Sequence, residues 1–325
     1  MTVCLTTYIY GEKYQSYIPL VLYSLAKSYP EYRVIIFLSG KIDPQLQPAL
    51  EVINKIYSNY KIVENTFDDC KSMSPLKARS FRWVLWDDEF LLYDYLYYID
   101  SDLLFVKEPV SLAEQHIKHM NFIGSDCVSN ILRKKELPNS DLYLYLAAIK
   151  HAGLYGLLNY PFNKCVYRMS GLHFVKVSSY FSYFTRDFIR EYKRKISTGK
   201  AFREILYPND EALLYHMMKV AGCNMSIYGI QTTSASMFGI FEPMKQLYCP
   251  HHGIHMGIFR IPSFAKTEWT LEQLNSNDYL YYAKYIADNW FVDSDFLELY
   301  SIMPDTIKDD FMCFCEFYNI EFKQL

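Results

Sequence analysis

Leu96-Tyr97-Tyr98-Ile99-Asp100-Ser101-Asp102-Leu103-Leu104-Phe105 is the stretch on which the reading of this chain turns. A dense apolar run ends abruptly in two carboxylates one residue apart, and apolar residues resume behind them. Charge in such a place costs core stability, so it calls for a binding role. Two hard oxygen ligands at this spacing suit Mg²⁺ or Mn²⁺, and the ion can bridge the phosphates of a substrate. Asp-x-Asp alone also occurs as a solvated strand end. Its weight therefore comes from what surrounds it.

Upstream, strands and helices alternate. Val3–Tyr8 is a short β-type run, and Ile18–Ser28 has helical spacing that Pro30 stops. Arg33–Leu38 is a buried-strand pattern ended by Ser39-Gly40. Pro44–Tyr57 reads as helix and Lys61–Glu64 as strand. One long helix is expected from Ser74 to Leu92, with Ser74 as N-cap and Pro75 at its first position. Such alternation implies a parallel sheet between helices, with ligands beyond the carboxyl ends of the strands. The Asp pair stands at such an end. Downstream, Asn121–Ser125 and Leu172–Val175 read as strands. Asp141–Lys150, Ser178–Lys195 and Asn209–Ala221 read as helices, as do Leu271–Asn289, Ser294–Ile302 and Asp305–Tyr318.

Composition narrows the class. The 325 residues are 51% apolar and 21% charged, which fits a globular chain and excludes a disordered one. The net charge of −3 gives no general field for nucleic acid. Residues 266–325 carry 4 Lys, no Arg and 12 Asp+Glu, a net of −8 that leaves +5 for residues 1–265. The body suits an anionic ligand; the tail does not suit an anionic membrane. We place the domain boundary between residues 1–264 and 265–325. No run reaches the ~18 apolar residues of a membrane span. Eight Cys without C-x-x-C spacing argue against a thiolate metal site. Met1-Thr-Val-Cys-Leu reads directly as strand, so a cytoplasmic setting with free thiols is expected. The 31 Tyr suit surfaces that meet sugars, a partner protein or a second copy, although composition bias explains them equally well.

The Asp-Ser-Asp segment and its flanks resemble the D-x-D segment of GT-A nucleotide-sugar glycosyltransferases, most of all family 8 and its relatives. Four further segments follow that group's order over roughly residues 1–260. Thr6-Thr7-Tyr8 ends the first strand, where such enzymes seat the nucleoside. Lys77-Ala78-Arg79-Ser80-Phe81-Arg82 resembles their basic helix near the diphosphate. Met169-Ser170-Gly171-Leu172-His173-Phe174 resembles their Asn-Ser-Gly segment beside the sugar, with Met169 where the family has Asn. Asn209-Asp210-Glu211 resembles their acidic or amide-bearing helix start near the anomeric carbon. A fifth segment, His251 to Arg260, supplies a late His with Gly and a basic residue beyond it.

The resemblance implies a GT-A, Rossmann-like α/β fold, a mixed, mostly parallel sheet flanked by helices, here with a helical C-terminal extension. Asp100 and Asp102 would hold Mn²⁺ or Mg²⁺ with His255, or with His252, which stays an alternative. Thr6, Thr7, Tyr8, Lys77, Arg79, Ser101, Ser170, Gly171 and Arg260 would meet a UDP-sugar donor, with Arg82 a further guanidinium candidate. Asp210 or Glu211 would work at the anomeric centre, as stabiliser in a retaining enzyme or as base in an inverting one. The implied acceptor is a glycan or lipid-linked glycan at the inner membrane face, in surface polysaccharide or lipopolysaccharide synthesis. Two rivals stand beside this reading. A sugar-1-phosphate nucleotidyltransferase calls for a Gly-rich basic loop after the first strand, and Thr6–Lys13 offers just Gly11 and Lys13. A non-catalytic carbohydrate-binding module gives no reason for Asp-x-Asp. For residues 210 and 211 there is also a plain structural reading, because acids are favoured at any helix N-terminus.

Overall fold

A computed structural model describes residues 1–67, 73–136, 142, 145–146, 149–150, 153–159, 165–205, 209–228, 230–232, 252–260, 271 and 274–322. Its strands are β1 (Val3–Ile9), β2 (Arg33–Leu38), β3 (Tyr60–Val63), β4 (Tyr95–Tyr98), β5 (Leu103–Phe105), β6 (Val128–Ser129), β7 (Leu132–Glu136), β8 (Cys165–Met169), β9 (His173–Lys176), β10 (Ile230–Thr232) and β11 (Gly253–His255). The main helices are α1 (Ile18–Ser28), α2 (Gln47–Ile56), α3 (Pro75–Phe81), α4 (Leu112–Ile123), α5 (Val177–Tyr183), α6 (Arg186–Ser197), α7 (Asp210–Val220), α8 (Asn277–Tyr285), α9 (Ser294–Ser301) and α10 (Asp305–Tyr318).

The principal sheet runs in the order β3-β2-β1-β4-β9-β6. It is parallel at β2–β3 and at β1–β4, where Val3 to Thr6 pair with Tyr95 to Tyr98, and antiparallel at β4–β9 and β9–β6. This is the mixed α/β sheet that the resemblance implied, where the alternating pattern alone implied a parallel one. Val3 to Ile9 are all buried, as continuous apolar character demands of a strand covered on both faces. Among the described residues no helix is long and apolar enough to cross a membrane.

Contacts group the chain into two compact units. One comprises Met1–Tyr8, Phe67–Tyr98 and His116–Tyr248; the other comprises Ile9–Thr66, Ile99–Gln115 and Cys249–Leu325. The first also holds the small sheet β10-β7-β8, and its core is aromatic: Trp83, Tyr98, His173 and Tyr180 pack ring against ring. The second holds the β11-β5 pair and a core of Tyr17, Tyr23, Trp290, Phe296 and Phe311. Within it the acidic tail is neutralised locally. Lys27 meets Asp293 and Asp295 at 2.7 and 3.0 Å, and Lys55 meets Glu298 at 3.0 Å. On α8, Tyr279 and Tyr282 are buried, Tyr285 is half-buried and Tyr281 is exposed.

Several local expectations change. The helix expected over Ser74–Leu92 stops at Phe81 and continues as two short 3₁₀ turns, Arg82–Val84 and Asp88–Leu92, the second capped by Asp87. Ser74 does cap it, accepting from Lys77 N, and Pro75 occupies the first turn. Residues 121–123 finish α4 and are not strand; Gly124, at φ 68°, ends the helix as its lack of a Cβ allows. The helix expected over Ser178–Lys195 divides at Phe184, because Thr185 caps a fresh helix by accepting from Phe188 N. In Leu271–Asn289, Leu271 and Leu274 are helical and Asn275 N donates to Leu271 O, but the helix breaks at Asn275–Ser276, resumes as α8 from Asn277 and ends in a π turn, Ile286–Trp290. Asp305–Tyr318 has the expected bounds. The proposed boundary at 264/265 and half of 141–150 lie outside the described residues, and the described positions 142, 145–146 and 149–150 are helical.

Candidate active site

Asp100 and Asp102 lie in the turn that leaves β4 and enters β5. In the unit that contains them, β11 pairs antiparallel with β5, setting His255 opposite Leu103. Met256 N donates to Asp102 O at 2.9 Å and locks the register. His255 Nε2 thereby comes 3.4 Å from Asp102 Oδ1 and 3.6 Å from Asp100 Oδ2. The Asp102 side chain is 7% exposed, His255 24% and Asp100 31%, so the three open a partly solvated rim.

His252 goes elsewhere. It stands just before β11 at φ 57°, and its Nδ1 meets Glu108 Oε2 at 2.7 Å. Tyr282 adds a hydrogen bond to the other Glu108 oxygen at 3.1 Å. Burial alone would raise the Glu108 carboxyl; the bond and charge of His252 bring it below its usual range. Of the two candidate histidines, the register brings His255 to the aspartates.

Two carboxylates and an imidazole are a donor set that suits Mn²⁺ or Mg²⁺. Ligands about 2.1 Å from a shared octahedral ion stand about 3 Å apart, so the 3.4 and 3.6 Å separations need a small inward movement. Among the described residues no group of three or more His, Cys, Asp or Glu stands close enough together to hold a metal ion as it is.

Gly253 makes this register possible. A Cβ there would stand 1.9 Å from Leu104 O and 2.8 Å from Phe105 Cα. Gly253→Ala is expected to push β11 off β5 and cost about 1–3 kcal/mol as overpacking. Thermal melts together with Mn²⁺ affinity check this. An unchanged melt with unchanged affinity would show that the close strand approach is dispensable.

The other unit places the remaining candidates. Asn209 caps α7, accepting from Glu211 N and Ala212 N. Asp210 is buried, with Arg82 Nη2 at 2.6 Å from Oδ2, Arg79 Nε at 3.9 Å from Oδ1, and Trp83 Nε1 donating to its carbonyl at 3.0 Å. Arg82 also lies over the Trp83 ring, 4.2 Å from the centroid. Glu211 meets Arg133 at 3.0 Å and Arg168 at 3.4 Å. Those two arginines are direct partners across β7 and β8. Like charges so placed repel, and Glu211 supplies a negative charge to both. The two neighbouring acids thus do different work.

Ser170 and Gly171 form the turn into β9, held by the buried Asn130. The Asn130 amide accepts from Ser170 N at 3.0 Å, donates to Ser170 O at 3.3 Å, and meets His173 Nδ1 at 2.6 Å. Thr6, Thr7 and Tyr8 lie inside β1, which continues to Ile9. All three are buried, and Tyr8 packs on Phe67 and Phe81. Their expected place at a strand end is corrected accordingly. Lys77 Nζ donates to Ser197 O at 2.9 Å, and Arg79 stays largely exposed. Ser101 is half-buried in the turn between the aspartates. Arg260 ends a short helical turn, Gly257–Arg260, and its side chain lies outside the described residues. Asn130, Arg133 and Arg168 were not legible as site residues, since nothing in a strand such as Leu132–Glu136 marks Arg133 for burial.

Two buried imidazoles give this unit an acid dependence. Burial, with Arg82 adding to it, lowers His173 to about 3, and burial lowers His119 to about 4. Between these values and about pH 6.5 the unfolded chain binds more protons. Their stabilisation is therefore complete above the ordinary imidazole range and is lost as pH falls. The folding constant should drop up to tenfold per pH unit for each imidazole between pH 6 and 4. Melts across that range check it, and His119→Asn should flatten the slope.

No protein-family model matches the sequence, and no curated protein matches it. Solved structures similar to it include the glycosyltransferase GlyE of Streptococcus pneumoniae, at 12% identity and TM-score 0.33, over 71% of this chain and 45% of that one. The galactosyltransferase LgtC, in complex with donor and acceptor sugar analogs, is 13% identical at TM-score 0.34, over 65% and 69%. The mannosyltransferase Ktr4p of S. cerevisiae, in complex with GDP, is 9% identical at TM-score 0.39, over 92% and 84%. The chain spans less than half the length of GlyE.

Proposed function

We propose that this chain is a metal-dependent glycosyltransferase that moves a hexose from a nucleotide diphosphate sugar, UDP-linked in the first instance, to a hydroxyl of a glycan or lipid-linked glycan. The observation that carries the reading is the approach of His255 Nε2 to both aspartates, at 3.4 and 3.6 Å, in the turn beyond β4. In the reaction the anomeric carbon–diphosphate bond breaks, a bond to the acceptor oxygen forms, and the hydroxyl proton departs. A divalent ion held by Asp100, Asp102 and His255 would supply positive charge against the leaving diphosphate. Ser101 is assigned to the donor, and so is Arg260, whose guanidinium suits bidentate phosphate contacts. Asp210 keeps the part of the acid that acts on the substrate, with Arg82 as the residue that positions its carboxylate. Glu211 is assigned a structural part. A retaining outcome, assembly of surface polysaccharide or lipopolysaccharide, and work at the inner membrane face follow from the sequence resemblance.

The test is a panel of UDP- and GDP-sugars incubated with the protein and Mn²⁺, then with EDTA. Nucleoside diphosphate released with Mn²⁺ and abolished by EDTA supports the proposal. Pyrophosphate formed from a nucleoside triphosphate and a sugar phosphate would replace it with the nucleotidyltransferase. Metal-independent glycan binding without turnover would sink both enzyme readings.

A further inference from the structure

Glu108 stands just beyond β5 and gathers groups from three other segments of its own unit. Its Oε2 meets His252 Nδ1 at 2.7 Å and accepts a longer bond from Tyr29 Oη at 3.4 Å. Its Oε1 accepts from Tyr282 Oη at 3.1 Å. The carboxylate is 8% exposed and the imidazole is fully buried. Burying such a pair costs solvation, and apolar residues of similar volume often serve stability as well. The convergence on Glu108 therefore calls for a reason beyond stability.

That reason lies along β11. His252 sits at φ 57°, in the left-handed region, where a residue with a Cβ is strained and persists only if its neighbours hold it. Glu108 holds the ring, and Val106 N donates to the His252 carbonyl at 3.0 Å. Gly253 follows and begins the pairing that sets His255 opposite Leu103. β11 is thus tied at one end to the Val106–Glu108 segment and at the other by Met256 N to Asp102 O. His255 lies between the two ties. On the outer side α8 packs against β11, and Tyr281 Oη donates to Lys107 O at 2.6 Å beside the Tyr282 bond.

We propose that Glu108 is a positioning residue for the metal seat, holding His255 in place through His252 and β11, and that α8 of the acidic tail is part of that support. The inference rests on the seat proposed above. An imidazole whose strand is already fixed loses less freedom when an ion binds, so the anchor acts on affinity and leaves stoichiometry alone.

The experiment compares Glu108→Ala, Glu108→Gln and Tyr282→Phe with the parent chain in two measurements. In EDTA, amide hydrogen exchange at Met256 should quicken severalfold in Glu108→Ala and less in Tyr282→Phe, while the amides of β2 exchange as in the parent. In Mn²⁺ titration followed by electron paramagnetic resonance, Glu108→Ala should bind one ion about threefold to tenfold more weakly. Glu108→Gln, whose amide can still bond His252 and Tyr282, should recover most of that loss. Tyr282→Phe keeps its ring and loses one bond, so it carries the same test if Glu108→Ala folds poorly. Equal acceleration at Met256 and in β2 would make Glu108 a general support of the fold and overturn the inference. Parent affinity in both Glu108→Ala and Tyr282→Phe would overturn it too. Mn²⁺ binding by the parent that ignores Asp100, Asp102 and His255 removes the seat and the inference with it, a different result from an intact seat that ignores Glu108.

Discussion

Asp102→Ala should lower kcat/KM for sugar transfer by about three powers of ten while the protein keeps its fold. The metal's charge against a leaving diphosphate is worth several kcal/mol, and each 1.36 kcal/mol is a factor of ten in rate. The carboxylate is 7% exposed and 3.4 Å from His255, so no other side chain replaces it in place. The fold should survive because the contact that holds β11 to this turn uses the Asp102 carbonyl, which accepts from Met256 N and is untouched by the change. Steady-state rates with Mn²⁺, paired with circular dichroism, give the readout. A properly folded variant within tenfold of the parent would remove Asp102 from the donor seat. Asp102→Asn sharpens the point, since it preserves shape and loses charge.

Glu211→Gln should act on stability. The side chain stands against Arg133 and Arg168, which are 8% and 12% exposed and directly opposed across β7 and β8. Removing the shared partner of buried charges typically costs about 3–5 kcal/mol, which lowers the melting temperature by roughly 10 °C. The repulsion names its own rescue. Arg168→Gln in the Glu211→Gln background removes one of the two like charges and should restore part of the loss, a coupling that a double-mutant cycle measures. A stable Glu211→Gln protein that has lost turnover would reverse the assignment and make Glu211 the acid that meets substrate.

These two expectations show what can be read from sequence and what cannot. The strand before Asp100 and the caps Ser74 and Asn209 are local patterns. An apolar run ended by charge, or a Ser-Pro before a periodic segment, carries its meaning within a few residues, and so these features were legible. Residues 121–125 were misjudged because Asn-Phe-Ile-Gly-Ser is short, apolar and ended by Gly, which suits a strand end and a helix end alike. The charged β7 gave no signal at all, since Arg133 is buried against a glutamate 78 residues away. Between His252 and His255 the sequence resemblance favoured His255 and kept His252 as an alternative. The strand register separates them, sending one to Glu108 and the other to the aspartates. The −8 tail read as a segment unsuited to an anionic membrane, and the structure adds that part of its charge is matched to Lys27 and Lys55.

The donor seat is the account's central claim, and Mn²⁺ binding tests it most directly. Mn²⁺ titration followed by electron paramagnetic resonance, with UDP or GDP present, should show one bound ion per chain. Affinity should fall at least tenfold in His255→Ala and collapse in Asp100→Ala/Asp102→Ala, while His252→Ala retains stoichiometric binding. Mn²⁺ binding that is indifferent to Asp100, Asp102 and His255 would contradict it.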